Sequence, residues 1–384
     1  MSKMSKMLYR NMPRVKEDLS ALGFGCMRLP TRDRQIDEAG ARAMVKTALE
    51  NGVNFIDTAR PYHGGTSEAF VGRALEGSRD KVMLATKLPS WLITKRDDMD
   101  FHLNEQLEQL KTDRIDFYLL HALNAAEWEN LLKLDVMSFM EKARAAGKIR
   151  YICFSFHDGL DTFKKIVDFY AWDMCMIQLN FLDGGYQAGL EGLRYAHSKD
   201  IGVVAMEPLK GGNLTVPMPK DLEPTAKAAG YDKPNLADLG LRWLWNQPEV
   251  GVVLSGMSEP EQLEQNIASA ANSSPGNLTG KELELVKAAK EFFSSRMKIP
   301  CTSCNYCIPC PRDVNISQCF NLLNSASISG NWKAQKSLYK YLLVSDLPEG
   351  KASACVDCGD CEPRCPQNIP IREKLKEVAA TFEA

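Results

Sequence analysis

The stretch NFIDTARPYHGGTSEAFVGRALEGSRDKVMLATK, residues 54–87, sets two short apolar runs, Asn54–Ala59 and Val82–Lys87, on either side of a segment that turns helical at Ser67. Neither run alternates polar with apolar residues, as a strand with one wet face would, so both read as strands covered on two sides. Six further runs share this character: Ala21–Met27, Asp116–His121, Ile149–Phe156, Met174–Asn180, Gly202–Pro208 and Gly251–Met257. Helical patterns follow them, starting near Asp37, Ser67, Phe101, Leu134, Gly159, Gln187, Leu236 and Pro260. Eight strand-then-helix units predict an α/β fold of the (β/α)8 TIM barrel type. An open doubly wound sheet is the alternative, and it would want G-x-G-x-x-G after the first strand. Gly23-x-Gly25 is present, but Arg28 holds the third glycine position. The glycine pair therefore predicts a close backbone approach inside the first barrel strand.

The same stretch carries chemistry. Asp57 ends FIDTA, Tyr62 stands in the following loop, Lys87 ends MLATK, and His121 ends FYLLH. The C-terminal ends of barrel strands converge on one face, so these four can meet despite their separation in sequence. A carbonyl that accepts hydride becomes an alkoxide, and a phenol is a poor acid near neutrality unless a cation favours its ionised form. Lys87 can supply the cation and Asp57 can hold it charged, while His121 can donate to the carbonyl oxygen. A buried Asp–Lys pair and a core tyrosine are the plainer readings of the individual residues. His63 and His157, beside this site, read as surface loop residues ahead of the alternative that they touch substrate or phosphate, and Trp91 as either a pocket wall or packing.

Two cysteine runs follow Pro300. They are Cys301-x2-Cys304-x2-Cys307-x2-Cys310-Pro311 and Cys355-x2-Cys358-x2-Cys361-x3-Cys365-Pro366. Three closely spaced thiolates can reach three irons of one [4Fe-4S] cube, and the fourth, followed by proline, ligates the neighbouring cube. The spacing predicts two [4Fe-4S] clusters, one on Cys301, Cys304, Cys307 and Cys365, the other on Cys355, Cys358, Cys361 and Cys310. Cys310 follows two intervening residues where three are usual, and Cys319 is a possible substitute. Disulfide frameworks spread their cysteines more widely, and zinc ribbons use pairs of C-x2-C rather than four successive cysteines. The remaining cysteines, Cys26, Cys153, Cys175 and Cys319, read as buried core thiols. Between the runs, Gln318–Val344 reads as helices interrupted at Ser329–Gly330, in the manner of helical two-cluster ferredoxins. No internal repeat is evident. A helix over Gly280–Met297 leads out of the barrel, giving domains at residues 1–297 and 298–384.

At 384 residues, a large domain plus a small one is expected, and 45% hydrophobic residues supply an ample core. A net charge of -2 with scattered Lys and Arg offers no basic face for nucleic acid and no polybasic patch for a membrane. The opening MSKMSKMLYRNMPRVKEDL lacks an apolar core and no run reaches 18 apolar residues, so a cytoplasmic protein is expected.

DTARPYHGGTSE (Asp57–Glu68), TKLP (Thr86–Pro89) and LLH (Leu119–His121) resemble the tetrad segments of the aldo-keto reductases, over about residues 8–295. With the cysteine tail, the chain resembles the subfamily carrying a C-terminal ferredoxin-type iron-sulfur domain. The resemblance implies that Tyr62 donates the proton, that Lys87 with Asp57 eases its release, and that His121 orients the substrate carbonyl. It also implies NAD(H) or NADP(H), with Ser155, Gln178 and Asn180 near the nicotinamide and Glu207, Leu209, Gly211 and Gly212 at the pyrophosphate. Ser255, Gly256, Met257, Gln262, Gln265 and Asn266 would follow along the ribose and adenosine. Gly256, Glu259 and Gln262 stand where NADP-selective members commonly place Lys or Arg, which favours NADH. Met206 occupies the place of a tyrosine that many relatives stack on nicotinamide, and Cys153 that of a glycine. The implied function is reversible reduction of a small-molecule carbonyl. The alternative is an electron-transfer protein whose barrel only senses nucleotide. Hydride moves two electrons and a cluster one, so the clusters are expected to be structural, redox sensing, or linked to a redox partner protein that supplies the missing step. Substrate-setting loops are Trp91–Asp100 and Leu214–Pro234.

Overall fold

The computed structural model describes residues 7–33, 35–231, 235–345 and 350–384. The first six residues and Asp232–Pro234, which fall within the expectations above, lie outside the described residues. The chain forms two compact units. One comprises residues up to Pro208 together with Leu241–Leu278, and the other comprises Leu209–Gly240 together with Thr279–Ala384.

In the first unit all eight expected runs are strands: β1 Leu22–Gly25, β2 Phe55–Asp57, β3 Met83–Leu88, β4 Ile115–Leu123, β5 Ile149–Phe156, β6 Met174–Gln178, β7 Gly202–Met206 and β8 Val250–Gly256. They pair in parallel in chain order and close through β8 and β1, with Leu254 opposite Gly23 and Gly256 opposite Gly25. Closure depends on the glycine pair: a Cβ at Gly23 would lie 2.9 Å from Val252 and 3.0 Å from Phe55. An antiparallel pair, Tyr9–Arg10 with Leu19–Ser20, precedes the barrel, and between its strands Met12 seals the barrel floor. Side chains at Gly202 or Gly251 would strike Met12 within 2.6 Å, so both positions must be bare.

The barrel interior is a packed core of Phe55, Ala85, Leu119, Cys153, Met176, Val204 and Leu254 with their neighbours. Side chains alternate across a strand with period two. Two residues beyond those core positions stand Asp57, Lys87, His121, Ser155, Gln178, Met206 and Gly256. The pleat that fills the core thus aims these residues into the mouth above it.

Two helix readings need correction. The helix placed near Leu134 is two helices, Ala125–Lys133 and Val136–Ala145, divided where Asp135 turns left-handed at φ 55°. The helix placed near Phe101 begins at Asp97. In the second unit, Leu214–Pro234 is not wholly loop, since Glu223–Ala228 is helical.

Four longer helices build the second unit: Gly280–Arg296, Ile316–Ser329, Trp332–Lys340 and Ile371–Phe382. The first is closed by a capping box in which Thr279 and Glu282 exchange hydrogen bonds. Gly330, at φ 71°, ends the second where the sequence breaks. Phe320, Leu323, Tyr339, Leu375, Val378 and Phe382 form a core shared by the last three, and no strand lies among the described residues of this unit. No described helix is long and apolar enough to cross a membrane.

Candidate active site and cysteine cavities

Asp57 and Lys87 form a buried ion pair at 2.6 Å, each side chain 1% exposed. Lys87 Nζ also donates to Thr58 O at 2.8 Å and stands 5.2 Å from the centre of the Tyr62 ring. Burial pushes the Asp57 carboxyl up, and Lys87 pulls against it. The Tyr62 and His121 rings meet edge to face at 6.3 Å, and the Trp91 ring lies 5.0 Å from that of His121. Burial holds the His121 imidazole well below its ordinary value, and Lys87 and His157 push it the same way. His121 is therefore a neutral imidazole near neutrality, able to donate one hydrogen bond.

A buried network braces this group from behind. Glu68 accepts from Thr86 Oγ1 at 2.5 Å and from Gln106 Nε2 at 2.6 Å. Gln106 Nε2 also donates to Lys87 O at 2.9 Å, and Tyr118 donates to Gln106 Oε1. His63 is not a surface residue: it is half-buried with Nε2 3.1 Å from Cys26 O, and burial lowers its pKa. His157 is likewise enclosed, with burial lowering it to about 4.

The positions that the resemblance assigns to nicotinamide line the same barrel mouth. Ser155 Oγ accepts from Ala122 N at 2.7 Å, where β4 leaves its register and Ala122 turns to φ 53°. Gln178 donates to Asp183 at 2.9 Å. Asn180 uses its whole amide within the chain: Nδ2 donates to Asp183 and to Glu207 O, and Oδ1 accepts from Leu182 N and Asp183 N. Ser255 Oγ accepts from Asn266 at 3.1 Å, and Gln262, in the helix Pro260–Ala270, accepts from Ser258 N at 2.9 Å. Met257 is buried, Gly256 and Gln265 are exposed. Arg28 crosses this loop: a Cβ at Gly256 would lie 3.0 Å from its side-chain carbons, and its guanidinium reaches Glu207 at 3.5 Å. Leu209, Gly211 and Gly212 belong to the second unit, where Gly211 and Gly212 take φ 66° and 92°.

In the second unit the eight cysteines divide between two cavities. Cys301, Cys304, Cys307 and Cys365 line one with Phe320, Ile369 and Ile371. Cys310, Cys355, Cys358 and Cys361 line the other, which Cys307 also touches. Cys319 lines neither and is a core thiol facing Gly350 O. Backbone conformation repeats between the runs, beyond the shared cysteine spacing. Ser303 and Asp357 precede the second cysteine of each run, Asn305 and Gly359 follow it, and all four have positive φ. Asp313 and Asn368, each three residues after the fourth cysteine, are left-handed at φ 51° and 50° and return N–H to the carbonyls of Cys310 and Cys365 at 3.0 Å. Helices then begin at Ile316 and Ile371, six residues after each fourth cysteine. The shorter Cys310 spacing is thus absorbed before the shared turn. Burial and the neighbouring thiols raise the Cys307 pKa strongly, and burial raises Cys361 to about 11. Backbone N–H groups of Gln367, Asn368 and Ile369 oppose the burial of the Cys365 thiol. Among the described residues no three His, Cys, Asp or Glu side chains close on a point as a single ion requires. Two soft donor sets spread around apolar-walled cavities fit iron-sulfur cubes.

The aldo/keto reductase family model matches residues 21–289. The chain belongs to the aldo/keto reductase family. A 4Fe-4S dicluster domain matches residues 300–369 of this reductase. L-galactose dehydrogenase of Arabidopsis thaliana is 28% identical over 312 residues, covering 75% of this chain and 96% of that protein. The NADH-specific methylglyoxal reductase of Escherichia coli is 24% identical over 296 residues, covering 65% and 90%. Among solved structures, the holo form of an aldo-keto reductase from Bacillus halodurans aligns with a TM-score of 0.61 at 26% identity, covering 74% and 96%. An aldo/keto reductase from Klebsiella pneumoniae in complex with NADP and acetate aligns at 0.59 and 25% identity, covering 71% and 92%.

The protein is accordingly an NAD(P)-dependent oxidoreductase with a 4Fe-4S ferredoxin-type domain. Three features of this aldo/keto reductase escaped the sequence reading. Asp183 collects the amides of Gln178 and Asn180, Arg28 lies on Gly256, and Glu68 braces Lys87 through Gln106. The DTARPYHGGTSE segment contained Glu68, and only its pairing with residues far along the chain gave it a role.

Proposed function

We propose that the protein reduces a small carbonyl, or oxidises the corresponding alcohol, with Tyr62 as the proton donor. The observation that carries this reading is Lys87, buried against Asp57 and directed at the Tyr62 ring. Nicotinamide, when bound, supplies or takes the hydride. The chain supplies the rest. Lys87 stabilises the phenolate left when Tyr62 gives its proton to the nascent alkoxide. Asp57 keeps Lys87 charged at low dielectric cost, and neutral His121 donates to the carbonyl oxygen as charge builds there. The Trp91 indole, tilted 54° to the His121 ring, offers an apolar face beside it, which suits a substrate with an apolar or planar flank.

Ser155, Gln178 and Asn180 would set the nicotinamide, with Asn180 acting through Asp183 and the Glu207 carbonyl. Leu209, Gly211 and Gly212 would take the pyrophosphate, and Ser255, Gly256, Met257, Gln262, Gln265 and Asn266 the adenosine side. Arg28 is already engaged by Glu207, which leaves a mild preference for NADH. In this reading residues 1–297 perform the carbonyl chemistry and residues 298–384 carry two [4Fe-4S] clusters in the crossed arrangement. A one-electron redox partner protein would exchange electrons with the clusters. A chain whose cysteines serve as cluster ligands and core thiols rather than disulfides suits a reducing compartment such as the cytoplasm.

The test is Tyr62→Phe. Carbonyl turnover should fall by roughly 10³, the usual contribution of a general acid. Nucleotide affinity should stay within a factor of about two, because the ring still packs. Near wild-type turnover would remove Tyr62 from the mechanism.

A further inference from the structure

Within the second unit, the loop at Leu209–Asn213 is built directly on the first cysteine segment. Asn213 Nδ2 donates to Lys210 O at 2.9 Å and to Cys301 O at 3.0 Å, tying the two backbones through one amide. Gly211 sits so close that a Cβ there would stand 2.1 Å from Thr302 O, and its φ of 66° already excludes most side chains. Thr302 and Lys210 are both buried, so little room is left for the loop and the cysteine segment to move separately. One residue further on, Ser303 N donates to Cys301 Sγ at 3.4 Å. A displacement of the loop therefore reaches the Cys301 carbonyl, and through it the orientation of a sulfur and of an N–H directed at it.

We propose that Asn213 is a positioning residue that couples occupancy of the Leu209–Gly212 loop by a nucleotide pyrophosphate to the electrochemistry of the cube held by Cys301, Cys304, Cys307 and Cys365. The inference rests on the reading of that loop as the pyrophosphate site. Hydrogen bonds to cluster sulfurs and nearby charge are both levers on cluster potential. Binding linkage is reciprocal: a ligand that distinguishes the oxidised from the reduced cube must shift its potential by the same free energy. The sign follows from charge. A pyrophosphate brings negative charge to the loop, and reduction adds one more to the cube, so the two disfavour each other in a poorly screened interior. Nucleotide binds the reduced protein more weakly, and its presence lowers the midpoint potential.

ADP-ribose is the suitable probe, because it carries the pyrophosphate and has no nicotinamide to exchange electrons. An EPR-monitored redox titration of the iron-loaded full chain, with and without saturating ADP-ribose, reads the coupling. A tenfold weaker dissociation constant in the reduced protein corresponds to a downward shift of about 59 mV for a one-electron couple. Asn213→Ala with unchanged iron content should lose most of that shift. The wild-type arm requires no variant and stands if Asn213→Ala loads iron poorly. Gly212→Ala tests the underlying reading separately, since Gly212 at φ 92° has nothing nearer its missing Cβ than Thr215 Oγ1 at 3.9 Å. Its strained backbone should weaken ADP-ribose binding without touching the cysteine segment. If Gly212→Ala weakens binding but the potential does not move in the wild type, the coupling is wrong and the loop assignment stands. An equal shift in Asn213→Ala removes Asn213 from the coupling. Binding indifferent to Gly212→Ala would overturn the loop assignment, and the coupling with it.

Discussion

Asp57 and Lys87 are fully buried and the eight clustered thiols are for the most part half-buried, and the chain treats these two sets of ionisable groups in opposite ways. In the barrel the compensation comes from the chain's own groups: Lys87 meets Asp57 at 2.6 Å and Thr58 O at 2.8 Å, and Gln106 holds its backbone. Around the cysteines the chain prepares only the backbone, with matched left-handed turns at Ser303 and Asp357 and at Asp313 and Asn368. The thiols themselves crowd one another, and burial keeps Cys307 and Cys361 protonated near neutrality. A bound cation of high charge reverses that logic, since coordination deprotonates a thiol outright. The barrel site is thus finished by folding, whereas the cysteine region is a shaped frame that iron completes.

The difference can be broken in order of expected effect. Lys87→Met strikes hardest, because it leaves Asp57 charged and alone in the interior. Breaking such a pair costs about 3–5 kcal/mol of stability, read as a lower denaturant midpoint. Turnover should fall by at least the roughly 10³ that general acid catalysis contributes. Retained stability with lost activity would mean that Asp57 takes up a proton, and Lys87→Met with Asp57→Asn would then show no additional effect in a double-mutant cycle.

Cys310→Ser tests the frame. Its turn matches that of Cys365, so the variant should damage the cube bound mainly by Cys355, Cys358 and Cys361 and spare the other. Iron content would drop toward half, and one reduced-state EPR signal should survive. Loss of both signals would contradict separate cavities.

A smaller effect comes from pH. His157 falls from an ordinary 6.5 to about 4 because it is buried neutral. A depressed folded value means that its contribution is fully present above about pH 6.5 and is lost as pH falls toward 4. Thermal midpoints should decline through that window, and His157→Gln should flatten part of the slope. The cysteine frame, once iron-loaded, has no such histidine in its cavities.

The smallest change concerns cofactor choice. Glu207→Gln would release Arg28 from its carboxylate partner and shift the ratio of NADPH to NADH affinity toward NADPH by several-fold, as expected for one rim charge. Paired titrations of the two nucleotides would measure it, and an unchanged ratio would separate Arg28 from the choice.

Much of this was legible in the amino-acid order, for identifiable reasons. Barrel strands buried on both faces announce themselves as unbroken apolar runs, and all eight were placed. Asp57, Lys87 and His121 could be assigned to one mouth because each stands at a strand end, two residues beyond an inward core position. Arg28 was visible only as an absent glycine; the turn at Cys26–Arg28 that lays it on Gly256 is a tertiary outcome. Asp183 and Glu68 gain their roles from partners brought together by folding. In the cysteine region the repeated spacing of the thiols was legible, and the backbone match around it was hidden for another reason. Ser303 matches Asp357, Asn305 matches Gly359, and Asp313 matches Asn368, so at these positions the halves share backbone handedness rather than residue identity. Asn, Asp and Gly are the residue types that accept a left-handed turn most readily, and different members serve in each half.

Iron and acid-labile sulfide per chain, measured on anaerobically purified protein, test the central contrast most directly. A frame of two matched cavities predicts about eight of each, four per cube. A value near four would mean that only one cavity takes a cluster and that the second set of cysteines is not the completed counterpart described above.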